Sequence, residues 1–158
     1  MVCALLLFYY LGVLFAHIVG IPTLHELRRM AGLGEGLFHP NISLLPFAGL
    51  GLEFALNILC FVPLGLLCPL AVRTGLRQTV LFGFGLSLAI ELSQLFTLYR
   101  ATDINDLIAN TAGAALGYLC FRLAARAYPP LHGGASGDRA PLLPPLIAAA
   151  AFVLIFFS

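Results

Sequence analysis

Five long apolar runs, at approximately residues 2–19, 49–70, 79–98, 107–123 and 142–157, constrain this chain most. Each comes near the ~20 residues with which an α-helix crosses a hydrocarbon core ~30 Å thick. Lipid offers backbone N–H and C=O groups no water to bind, so such runs satisfy themselves as helices. Charged residues make up 9% of the chain, whereas a soluble domain carries about 25%. With 61% hydrophobic residues and a mean hydropathy of +1.01, the chain has too little polar surface to cover itself in water. The expectation is an all-α polytopic transmembrane bundle of about five helices, folded as a single domain over residues 1–158.

The connections refine this picture. The first run has no basic flank and no small-residue cleavage site, so it reads as an uncleaved span rather than a signal peptide. The first loop, 20–48, contains a helical candidate at 23–30, where Thr23 and Glu26 fit a capping box. Pro40 and Pro46 break helix beyond it. The loop at 71–78 is a tight turn, the one at 99–106 is short and polar, and Gly133, Gly134 and Gly137 mark a flexible linker before the fifth run. Arg73, Arg77, Arg122, Arg126 and Arg139 fall in the second and fourth loops, against Arg28, Arg29 and Arg100 in the first and third. That bias places the N-terminus in the cytoplasm, with the first and third loops on the extracytoplasmic side. The arginines are dispersed, the chain has no Lys, and the net charge is +1, so no nucleic-acid partner is expected. Cys3, Cys60, Cys68 and Cys120 lie within predicted spans, without metal-finger spacing, and read as apolar filler.

Polar side chains inside spans are costly and mark function by default. Glu53 and Asn57 lie one turn apart on the second span. Ser87, Glu91 and Gln94 follow i, i+4, i+7 on one face of the third, and Asp106 and Asn110 are i, i+4 on the fourth. Arg100 and Asp103 sit in the loop between those two spans. At ~1.5 Å per residue Asn57 and Glu91 both lie about 10 Å from the same membrane face. A polar cleft between the second, third and fourth spans would satisfy these groups, facing outward in the orientation above. Glu91 reads either as a ligand-contacting or acid/base carboxylate, or as a packing group bonded to Asn57, Asn110 or Gln94 or paired with Arg100. Arg100 reads either as the holder of a phosphate or carboxylate or as an interfacial ion-pair partner, and Asp103 as the cap of the fourth span. Gly113 and Gly117 form a GxxxG suited to close helix packing. Pro63 with Gly65 suggests a kink in the second span.

These pieces resemble the VanZ-like family. They are Asn57 to Gly65 with Pro63, Ser87-x-x-x-Glu91-x-x-Gln94, Arg100-x-x-Asp103-Ile104-Asn105-Asp106, Asn110-Thr111-Ala112-Gly113 and Gly117-Tyr118. Upstream, Asn41-Ile42-Ser43-Leu44-Leu45-Pro46-Phe47 resembles the family's N-L-x-P-F segment, so the likeness covers 41–118 in order. The family's D-I-D-D has an amide at Asn105 here, which leaves two of its three acids. The resemblance implies a cell-envelope membrane protein, and its founding member is associated with low-level teicoplanin resistance.

Three functions follow as expectations. The leading one is a non-enzymatic envelope protein whose cleft binds membrane lipid or a lipid-linked or glycopeptide-like ligand through Asn57, Glu91, Gln94, Arg100, Asp103, Asp106 and Asn110. The second is an intramembrane enzyme acting on a lipid or lipid-linked substrate, with Glu91 or Asp106 as general base. The third is a structural subunit packing on a partner through Gly113 and Gly117. No ligand signature joins Glu91, Asp103 and Asp106 to His17, His25 or His39, so neither metal nor cofactor is expected. Ser87 and Ser93 sit in no nucleophile elbow.

Overall fold

The computed structural model describes residues 2–47, 51–97, 100–128 and 142–158. The Gly-rich linker, Arg139, and positions 49, 50 and 98 at the ends of predicted spans lie outside the described residues.

The fold is all-α. Helix α1 (Val2–Val13) runs directly into a single wide π-turn (Leu14–Ile18), where the Val19 N–H reaches the Leu14 carbonyl at 2.9 Å. Helix α2 is Leu24–Gly32, α3 is Leu52–Val72, α4 is Leu76–Gln94, α5 is Ile104–Ala127 and α6 is Leu143–Phe156. The predicted capping box starts α2: the Thr23 N–H donates to Glu26 Oε2 at 3.0 Å and the Glu26 N–H to Thr23 Oγ1 at 3.3 Å.

By length and composition, α3 and α5 are long and apolar enough to cross a membrane. The other apolar helices, Val2–Ile18 and Leu143–Phe156, are shorter. At ~1.5 Å per residue, α6 is about 21 Å long, less than a ~30 Å hydrocarbon core. Helix α4 stops at Gln94, earlier than its hydropathy predicts, and Leu95 and Phe96 form a turn. Polar hydrogen bonding ends it: Thr97 turns back, its N–H and hydroxyl both reaching the Gln94 carbonyl.

Among the described residues, α3 and α5 make the most extensive contact, and α4 lies against α5. Glycines allow it. A Cβ at Gly113 would overlap the Ile58 carbonyl, one at Gly117 the Val62 carbonyl, and one at Gly65 the Ala114 carbonyl. The GxxxG face is thus occupied by α3 of the same chain. That corrects the expectation that Gly113 and Gly117 pack on a partner. Helix α3 continues through Pro63 and Pro69, and Gly65 serves the close approach of α5. Leu7, Leu11, Leu14 and Phe15 pack with Phe61, Leu64, Ile90, Ala114, Ala148 and Ala151 to form the apolar core. Outward, Leu5, Tyr9, Leu52, Leu59, Leu123, Leu146 and Leu154 are exposed.

One element has no counterpart in the sequence reading. Ile42–Ser43 (β1) pairs in parallel with Thr102–Asp103 (β2), Ile42 opposite Thr102 and Ser43 opposite Asp103. The Thr102 N–H donates to the Asn41 carbonyl at 2.8 Å. This short ladder ties the end of the first loop to the start of α5.

Candidate functional site

The C-terminal end of α4, the N-terminal end of α5 and the β1–β2 ladder together bury a seam of polar side chains. Ser87 and Asn110 meet at its base, where Asn110 Nδ2 donates to Ser87 Oγ at 3.0 Å. Both are buried, Ser87 completely. Asn110 Oδ1 is also buried and has no hydrogen-bond partner, as does Gln94 Oε1. A buried acceptor left unpaired costs about 1–3 kcal/mol.

Glu91 lies one turn further along α4, 3% exposed. Its Oε2 accepts the Asp103 N–H at 2.8 Å, and its backbone carbonyl accepts the Thr102 hydroxyl at 2.9 Å. Glu91 therefore holds the loop ahead of α5 by two bonds, one of them assisted by charge. The sequence reading offered Asn57, Asn110, Gln94 and Arg100 as its partners. The structure instead gives it a backbone N–H, a donor that no side-chain pattern reveals.

Asp103 caps α5 as expected, its Oδ1 accepting the Asn105 N–H at 2.8 Å. Asp106, in the first turn, faces the Asn57 side chain, with Asp103, Glu53 and Arg100 within electrostatic range. An acid suits this position because it meets the partial positive charge of the helix start. Asn57 is half-buried, whereas Glu53 is exposed.

The remaining two predicted residues point elsewhere. Gln94 Nε2 donates to the Val19 carbonyl at 3.1 Å, and Arg100 Nη2 to the Ile18 carbonyl at 3.2 Å. Both thus reach the end of the π-turn after α1. Arg100 thus makes its hydrogen bond to a carbonyl, with the Asp106 carboxylate within electrostatic range.

Asn105 was overlooked as a site residue, yet it is buried and central. Its Oδ1 accepts the Phe47 N–H at 2.6 Å, and its Nδ2 donates to the Leu45 carbonyl at 3.2 Å and to Asp103 Oδ1 at 3.0 Å. An acid here would lack those two donations and would set a second carboxylate against Asp103. The amide in place of the family's acid was the available signal. That amide is a gained donor as well as a lost carboxylate. Among the described residues, no group of three or more His, Cys, Asp or Glu is arranged to hold a metal ion.

The model of the VanZ/LLP1 family matches residues 2–125. The chain belongs to the VanZ/LLP1 family. It is 35% identical over 86 residues to Protein VanZ of Enterococcus faecium, an alignment covering 52% of this chain and 53% of that protein. The chain thus spans about half the length of that VanZ relative. No solved structure matches the chain. The VanZ/LLP1 match takes in every seam residue and stops before α6, so α6 lies outside it.

Proposed function

We propose that this chain is a polytopic protein of a bacterial cytoplasmic membrane whose polar seam binds the polar head of an envelope ligand, lipid-linked or glycopeptide-like. Membership of the VanZ/LLP1 family, the two apolar helices of spanning length and the exposed leucines on α1, α3, α5 and α6 support the membrane reading. The arginine bias supports a cytoplasmic N-terminus, which turns the seam to the outer side. Resistance to teicoplanin, associated with the family's founding member, is the activity to which this reading leads.

One observation carries the ligand-binding reading: the buried carboxylate of Glu91 and the half-buried carboxylate of Asp106 converge at the α4–α5 junction with Asn57 and Asn110. A packing role alone would be served by apolar residues at lower desolvation cost. Binding is favoured over catalysis because Glu91 already accepts a backbone N–H and so acts as a positioning group.

The test is expression in a teicoplanin-susceptible bacterium, with Glu91→Gln and Asp106→Asn compared at matched membrane levels. The wild-type chain is expected to reduce susceptibility, and both variants to lose that effect while still accumulating in the membrane. A wild-type chain without effect would overturn the glycopeptide form of the proposal. Variants as protective as the wild type would overturn the role of the seam.

A further inference from the structure

Two hollows outside the seam share a wall. The first, about 240 Å³, lies between the π-turn, α2 and the turn after α4, and is lined by Arg29, Arg100, Thr97 and Glu26 over Phe15 and Ile155. The second, about 510 Å³, is a groove between α4 and α6, lined among others by Phe82, Gly85, Ala89, Ala149 and Phe152. Phe15 lines both, and Ile155 in the first stands about one helical turn beyond Phe152 in the second.

We propose that the two hollows form one site for an anionic phospholipid, its phosphate between Arg29 and Arg100 and an acyl chain along the α4–α6 groove. The inference does not depend on the seam's ligand.

Charge complementarity carries the choice of occupant. No charged side chain lines the groove, whereas two guanidinium groups line the hollow that adjoins it. Guanidinium forks match phosphate oxygens in geometry as well as in charge. Glu26 also lines this hollow, but its Oε2 is engaged by the Thr23 N–H and hydroxyl, and one net positive charge remains among the three. The groove's volume falls within the ~300–1,000 Å³ typical of small-molecule sites.

The backbone holds Arg100 ready. Its Nη2 is anchored on the Ile18 carbonyl, and Gly20 takes a φ of +62° directly beneath it. A Cβ at Gly20 would lie 3.3 Å from Arg100 Nε, tighter than ordinary contact. Gly20 thus provides both a left-handed turn and room for the guanidinium. The π-turn that supplies the Ile18 carbonyl also places Phe15 between the two hollows.

The experiment measures lipid retained by the purified full-length chain in neutral detergent, by native mass spectrometry. The probes are dioleoyl phosphatidylglycerol, dioleoyl phosphatidylcholine and free glycerol phosphate. Phosphatidylglycerol is expected to be retained over phosphatidylcholine. Arg29→Gln should weaken its binding about fivefold, the effect of one lost charge, and Arg29→Lys should largely restore it. Gly85→Phe fills the groove from a position with nothing within 4 Å, so it should cut retention of both lipids without disturbing the fold. Equal retention of the two lipids would refute the phosphate seat. Unchanged retention in Gly85→Phe, or free glycerol phosphate competing as well as the lipid, would refute the acyl-chain groove. So would displacement of the lipid by a second copy of the chain, seen as a dimer whose formation Gly85→Phe abolishes.

Discussion

Gly113→Ala tests the α3–α5 interface most directly. The added Cβ would overlap the Ile58 carbonyl oxygen and lie 2.9 Å from Phe61 Cβ. The first obstacle is backbone, which no rotamer change removes, so the helices must separate by about 1 Å. A gap of that size forfeits roughly a quarter to a half of each dispersion contact it opens. Overpacking of this kind costs up to about 3 kcal/mol. Replacing Gly by Ala within a helix returns about 1 kcal/mol of propensity, which leaves a net loss of about 2 kcal/mol. Gly12→Ala is the control, because Gly12 is also helical and a Cβ there meets nothing within 4 Å. Unfolding of the purified chain by SDS titration in mixed micelles, followed by helical circular dichroism, compares the two. Gly113→Ala is expected to unfold at clearly lower SDS and Gly12→Ala at the wild-type value or above. Equal midpoints would show that α3 and α5 do not meet through the glycine face, and the tightest contact in the fold would be lost with it.

Three further substitutions probe the seam. Asn105→Ala strands the Phe47 N–H and the Leu45 carbonyl, and should release residues 45–47 from α5 at a cost of about 2 kcal/mol, while the ladder at Ile42–Ser43 holds. Hydrogen exchange at Phe47 should rise sharply, and unchanged protection there would refute the tether. Ser87→Ala removes the acceptor of Asn110 Nδ2 and should cost about 1–3 kcal/mol. Adding Asn110→Leu should recover part of that loss, since the double variant leaves no unpaired amide, and strict additivity in the cycle would argue against the pair.

Hydropathy located the helices well because it is a local property. The run at 142–157 is observed as Leu143–Phe156, and the run at 107–123 as the longer Ile104–Ala127. The α5 start was underestimated because Asp103, Asn105 and Asp106 are polar. Yet Asp103 is the cap, and polar residues belong in a first turn. The seam residues were found from the cost of burying them. Their partners were not, since most are backbone groups: the Asp103 N–H for Glu91, the Val19 carbonyl for Gln94 and the Ile18 carbonyl for Arg100. Every residue carries such groups, so a sequence gives no sign of which ones are met.

The amino-acid sequence alone determined that this chain folds into apolar helices, where α2 begins, which end of α5 is capped and which family the motifs resemble. Each of these rests on residues within a turn or two of one another, or on the order of short motifs. Tertiary structure alone decided that Gly113 and Gly117 are filled by α3, that a parallel ladder joins residues sixty positions apart, and that Arg100 turns to the π-turn after α1. It also placed a basic hollow beside an apolar groove. These outcomes depend on which helix faces bury one another, a competition among distant surfaces that hydropathy leaves open.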